Sequence, residues 1–139
     1  MDERFPEQIM VVEDEVLIGL MLTSKLKSHG YRVGDIVTTG EEAVERAGLE
    51  KPSVILMDVT LAGELSGIDA ARQIHEAYGI PCIIFTGYDD KSLDEQARQV
   101  GPVGVLAKMG PIADIVAAIE QALKYNRKER GGGETEEMK

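Results

Sequence analysis

Four apolar runs in this chain each end in a residue type that can handle a phosphoryl group or a cation. Glu13, Asp14 and Glu15 follow Ile9 to Val12, Asp58 follows Val54 to Met57, Thr86 and Gly87 follow Pro81 to Phe85, and Lys108 follows Val103 to Ala107. Two carboxylates about 4 Å apart repel by roughly 4 kcal/mol at the effective dielectric of a protein surface, so acids gathered in one place must be protonated, spread or neutralised. Mg²⁺ neutralises them well, because it takes hard oxygen ligands, keeps several waters, and combines one or two carboxylates with a phosphate oxygen. Lys108 and the Thr86 hydroxyl could then bind the remaining phosphoryl oxygens, with an aspartate at the centre of the site as acceptor.

That chemistry needs the four run ends on one edge of one sheet. The apolar runs are Ile9 to Val12, Val33 to Val37, Val54 to Met57, Pro81 to Phe85 and Val103 to Ala107, with segments of helical period between them. Ile112, Ile115, Val116, Ile119 and Leu123 form one apolar stripe behind Pro111, a residue tolerated in a first helical turn. From Ser66 to Tyr78, the residues Ile68, Ala71, Ile74 and Tyr78 align likewise, and Gly79-Ile80-Pro81 stops the helix. A shorter, polar helix is expected near Glu41 to Leu49. Repeated βα units with strands apolar nearly throughout imply an α/β fold, a doubly wound five-stranded parallel sheet with helices on both faces. In such sheets, ligands bind outside the carboxyl ends of the strands.

Composition excludes several other classes. The 139 residues, 43% hydrophobic and 29% charged, suit one globular domain with its own core. A net charge of −10 and a pI near 4.6 oppose a direct nucleic-acid or anionic-membrane binder and favour a cation or a partner with a basic face. No apolar run approaches the roughly 20 residues of a membrane span. The start of the chain lacks the basic and apolar regions of a secretory signal, so a cytoplasmic protein is expected. The single cysteine, Cys82, excludes an intrachain disulfide framework and reads as a small buried hydrophobe. Residues 1–124 are expected to form the domain, and 125–139, with basic Lys124 to Arg130 preceding Gly131-Gly132-Gly133, a frayed helix end and disordered tail.

The motifs Ile9-Met10-Val11-Val12-Glu13-Asp14-Glu15, Val54-Ile55-Leu56-Met57-Asp58, Ile83-Ile84-Phe85-Thr86-Gly87 and Val105-Leu106-Ala107-Lys108, in this order, resemble the receiver domain of two-component response regulators. The resemblance spans nearly all of the chain except its tail. It implies a flavodoxin-like sheet of strand order 2-1-3-4-5. It also implies that Asp58 accepts a phosphoryl group from the phosphohistidine of a sensor histidine kinase or phosphotransfer protein. Mg²⁺ would be held by Glu13, Asp14 and Asp58 with the backbone carbonyl of Thr60, while Thr86 is the switch hydroxyl, Lys108 pairs with the phosphoryl group and Gly87 leaves it room. The output is expected through a downstream partner protein, with homodimerisation through the last helix–strand–helix face as an assembly the family suggests.

The sequence departs from the family pattern in three places. Val105 stands where an aromatic residue usually relays the threonine's movement, Met109 and Gly110 separate Lys108 from Pro111, and the loop after Asp58 lacks the common proline and is about one residue longer. Tyr88 could replace the missing relay or hinder the attacking water; otherwise it is an exposed loop residue. A receiver fold used only as a phosphorylation-independent docking module is therefore the alternative reading. A haloacid-dehalogenase-type phosphatase would need an aspartate at Thr60, and a flavodoxin-like cofactor carrier would need Gly, Ser and Thr where the first turn is acidic. Glu13 and Asp14 can also serve the dipole of the following helix, a role to which Glu15 is expected to be limited.

Overall fold

The computed structural model describes residues 7–59, 61, 63–86, 105–107 and 110–124. In chain order the elements are β1 (Gln8–Val12), α1 (Val16–Ser28), β2 (Arg32–Val33), α2 (Gly40–Glu50), β3 (Val54–Asp58), α3 (Gly67–Tyr78), β4 (Cys82–Thr86), β5 (Val105–Ala107) and a helix over 112–124, here α4. The sheet order is β2-β1-β3-β4-β5 and every pairing is parallel. This is the doubly wound architecture expected from the run-and-helix rhythm.

Alternation along the central strands separates two cores. Met10, Val12, Ile55, Met57, Cys82 and Ile84 point to the face covered by α2 and α3, where Ala43, Ala47, Ile68, Ala71 and Ile74 meet them. Ile9, Val11, Val54, Leu56, Ile83 and Phe85 point to the other face, packing with Leu26 of α1 and with Ile115, Ile119 and Leu123 of α4. Strands covered on both faces have no polar side to show, which is why their sequences do not alternate.

The second strand differs from its sequence reading. The run Val33 to Val37 predicts five strand residues, but β2 is only Arg32–Val33, followed by an isolated bridge between Val37 and Val12. Gly34 and Asp35, both poor strand formers, interrupt the run. Val37 nevertheless keeps the function that matters for the site: its N–H bonds to the Val11 carbonyl at 3.0 Å, and its own carbonyl accepts the N–H of Glu13 at 2.8 Å. The interrupted strand therefore still fixes the backbone on which the first acidic residues stand.

Helix boundaries follow local chemistry. Thr39 caps α2 by accepting the N–H of Glu42 at 3.1 Å, and Ser66 caps α3 by accepting that of Asp69 at 3.1 Å. Both helices begin close to where the sequence places them. The tail expected over 125–139 lies outside the described residues. Among the described residues, no helix is long and apolar enough to cross a membrane.

Candidate phosphoacceptor site

Parallel pairing of β1 with β3, Val12 opposite Met57, brings the acids that follow the two strands to the same edge. Glu13, Asp14 and Asp58 each offer a carboxylate oxygen, and these atoms lie within 4.8 Å of one another. Glu13 and Asp58 are buried, at 1% and 3% exposure, whereas Asp14 is the most exposed of the three. At that separation each like-charged pair repels by about 3–4 kcal/mol at an effective dielectric of 20, so the cluster favours a counter-cation.

The backbone holds the carboxylates together against this repulsion. Glu13 is anchored through its N–H to Val37, and its Oε2 accepts the N–H of Glu15 at 3.1 Å, so one carboxylate both closes the β1–α1 turn and faces the site. Glu15 itself sits at the start of α1 with no side-chain cap bond. Asp58 is the last residue of β3, and the chain beyond it is tied down immediately. Val59 donates its N–H to the Phe85 carbonyl at 3.0 Å, and Gly67 donates to the Val59 carbonyl at 3.1 Å. A Cβ at Gly67 would stand 1.8 Å from the Asp58 carbonyl oxygen, a close approach open only to glycine.

The donor set fits Mg²⁺. It consists of hard carboxylate oxygens, and its exposed member leaves room for the waters that Mg²⁺ retains. Cys82 is no ligand for such an ion: burial pushes its thiol up to about 12, and it lies at the opposite end of β4 from Thr86. His29 and His75 belong to the ends of α1 and α3, away from the acidic edge.

The other residues named from the sequence are placed less completely. Thr86 closes β4, in register with Ala107 of β5, so its backbone stands on the same edge as Asp58. Thr60, Gly87, Tyr88 and Lys108 lie outside the described residues. Two contributors escaped the sequence reading. Gly67 carries no local signal, because its requirement comes from a carbonyl distant in sequence. Glu41 reads as one of two acids at a helix start, yet its carboxylate reaches the segment after Asp58.

Comparison with known proteins now bears on this arrangement. Residues 9–120 match the response regulator receiver domain. The chain is 36% identical over 126 residues to the transcriptional regulatory protein PdtaR of Mycobacterium tuberculosis, covering 91% of this chain but 61% of that protein. It is 35% identical over 119 residues to the chemotaxis protein CheY of Thermotoga maritima, covering 85% of this chain and 98% of that one. Among solved structures, the signal receiver domain of a modulated diguanylate cyclase from Desulfovibrio desulfuricans superposes with a TM-score of 0.83 at 31% identity, over 89% of this chain and 98% of that domain. The doubly wound sheet, the acidic edge and these likenesses agree: the chain belongs to the response regulator receiver family, signalling domains of two-component systems whose general function is phosphorylation-dependent switching.

Proposed function

We propose that Asp58 is the phosphoacceptor and that Glu13, Asp14 and Asp58 bind the Mg²⁺ on which its phosphorylation depends. The observation that carries this reading is the meeting of the three carboxylates, two of them buried, at the ends of adjacent strands. Receivers are phosphorylated by histidine kinases and act on downstream partners, so the donor we assign is a phosphohistidine of a sensor kinase or phosphotransfer protein. An Asp58 carboxylate oxygen attacks phosphorus in line, the P–N bond to the donor imidazole breaks with its electron pair leaving on nitrogen, and an aspartyl phosphate results. Water later attacks the same phosphorus and the P–O bond to Asp58 breaks, releasing inorganic phosphate and restoring the carboxylate.

Each residue has a part in positioning or charge. Asp58 is held by the strand end and by Gly67 packed against its carbonyl, so its reacting oxygen is delivered with little reorganisation. Glu13 is fixed from both its N–H and its carboxylate, which keeps its charge beside Asp58. A bound Mg²⁺ would neutralise charge on the transferring phosphoryl group. By the family pattern, the Thr60 carbonyl completes the cation ligands, Thr86 and Lys108 bind phosphoryl oxygens, and their engagement biases a pre-existing two-state equilibrium toward the form that a partner reads. The phosphoryl group adds about −1.5 to −2 charges at neutral pH, ample to drive such contacts.

The test is intact-mass measurement after incubation with acetyl phosphate, with and without Mg²⁺, on the wild type and on Asp58→Asn. One Mg²⁺-dependent phosphoryl adduct, absent in the variant, is expected. An adduct of equal yield in Asp58→Asn overturns the assignment. No adduct from acetyl phosphate or from a phosphorylated kinase favours instead a docking module that keeps the receiver fold without its chemistry.

A further inference from the structure

The segment between Asp58 and α3 contains no proline, so no ring presets its backbone angles. Its second half is held by a side chain from another element. Glu41, in the first turn of α2, reaches across so that its Oε2 accepts the N–H of Glu64 at 3.2 Å and that of Leu65 at 3.3 Å. Gly63, one residue earlier, lies at φ +95°, and a Cβ there would stand 2.9 Å from Glu41 Oε1. Only glycine accepts both that backbone angle and that approach. Hydrogen bonds from its own N–H, set against a desolvation penalty, and from the N–H groups of Glu64 and Leu65 hold the Glu41 carboxyl below the usual carboxylate range.

The atoms that Glu41 holds are close in sequence to those packed on Asp58. Ser66 follows Leu65 and caps α3, and Gly67 follows Ser66, donates to Val59 and presses on the Asp58 carbonyl. A shift of Leu65 must therefore be absorbed within Ser66 or passed to the backbone of Asp58. We propose that Glu41 is a positioning residue for the acidic site: its carboxylate fixes the returning half of the segment after Asp58, and through it the geometry with which Asp58 meets a divalent cation. The inference rests on the reading of Glu13, Asp14 and Asp58 as a cation site. It adds a part that family motifs at strand ends do not assign, played from a helix start on the neighbouring unit.

Reach and charge make different predictions here. Glu41→Gln keeps an acceptor oxygen at the same reach but removes the charge, whereas Glu41→Asp keeps the charge on a side chain one methylene shorter. Mg²⁺ affinity is measured by titration calorimetry on the full chain at fixed ionic strength, alongside amide exchange of Glu64 and Leu65 by NMR. Removing a residue that orients a metal ligand commonly costs 10- to 100-fold in affinity, and for an exposed carboxylate acting through backbone about 3- to 10-fold is expected for Glu41→Asp. Glu41→Gln should stay within about twofold of wild type, and only Glu41→Asp should expose the two amides to faster exchange. Weakening by Gln with no effect of Asp would show that Glu41 acts through its charge and overturn the positioning role. Wild-type affinity in both variants would overturn it while leaving the cation site intact. Absence of Mg²⁺ binding in the wild type would overturn the cation site and this inference together.

Discussion

The two faces of the sheet are finished to different degrees. On one, α2 and α3 are both capped by hydroxyls, Arg46 lies between Glu42 at 3.7 Å and Glu50 at 2.5 Å, and Tyr78 lies so close over Gly48 that a Cβ there would meet its hydroxyl at 2.5 Å. On the other, α1 starts at Glu15 without a side-chain cap and with no acid in its first turn, and Val16, Leu17, Leu20 and Met21 are 58%, 78%, 52% and 45% exposed. A pocket lined by Ile18, Met21, Leu22, Lys25, Phe85 and Ile115 opens beside the site-facing half of α1, although Leu26 further along packs with α4. The acidic site spans this divide. Asp58 leads toward α3, whose start is capped by Ser66, while Glu13 and Asp14 lead into the start of α1, which has no side-chain cap. One side of the site thus rests on hydroxyl-capped helices, and the other on the backbone bridge to Val37 together with a turn closed by the Glu13 carboxylate.

Core truncation should show the asymmetry most strongly. Ile74 of α3 is fully buried, so Ile74→Ala is expected to cost about 2–5 kcal/mol through lost burial and a cavity. Leu20→Ala, on the half-exposed side of α1, should cost well under half as much, because part of that side chain is already in water. Urea denaturation of both variants measures the contrast. Equal losses would mean that α1 is as tightly integrated as α3 and would break the comparison.

A second effect follows from the buried thiol on the α2–α3 face. Folded Cys82 holds its proton to about 12 against an ordinary value of 9.0, so between those values the unfolded chain releases a proton that the folded chain keeps. Stability from this group is complete below pH 9 and falls as pH rises, by roughly 1.4 kcal/mol at pH 10. Cys82→Ala should flatten this part of the alkaline decline relative to wild type. An unchanged slope would show that the thiol is accessible and titrates normally in the folded protein.

How much of this could be read beforehand depended on whether the cause was local. The central strands were legible because Ile55, Leu56 and Met57 are covered on both faces and must all be apolar, and the acids stood out because each directly follows such a run. Val33 to Val37 misled because apolar content outvoted Gly34 and Asp35, whose backbone preferences end β2 early. The run Val16 to Leu22 is nearly all apolar, and that pattern cannot distinguish a buried helix from one whose outer face is left bare. Glu41 was invisible for another reason: its partners are the amides of Glu64 and Leu65, and a bond to backbone leaves no trace in side-chain type. Gly67 was missed likewise, because what forbids a Cβ there is the Asp58 carbonyl.

Caps give a smaller contrast of the same sign. Thr39→Ala and Ser66→Ala should each cost about 1 kcal/mol, since each leaves a first-turn N–H without its acceptor. Glu15→Ala, at a start whose side chain makes no cap bond, should cost only a few tenths of a kcal/mol. A loss at Glu15 matching those at Thr39 and Ser66 would mean that its carboxylate supports α1 through the helix dipole as effectively as a hydroxyl cap supports α2 and α3.

The smallest effect is expected where the exposed surface is most apolar. Leu17 is 78% exposed, so Leu17→Gln removes little buried area and should change stability by less than about 0.5 kcal/mol. Glutamine also has good helix propensity, so the backbone of α1 gives no separate reason for loss. The same variant should accept a phosphoryl group from acetyl phosphate at the wild-type rate, because Leu17 is outside the group formed by Glu13, Asp14 and Asp58. Denaturation and phosphorylation together then test whether the bare face of α1 is independent of the site it adjoins. A stability loss above 1 kcal/mol would show that Leu17 is covered in solution, whereas a slowed phosphorylation at unchanged stability would show that the first turn of α1 helps to hold Glu13 and Asp14. Either result would move α1 toward the well-supported class that α2 and α3 define.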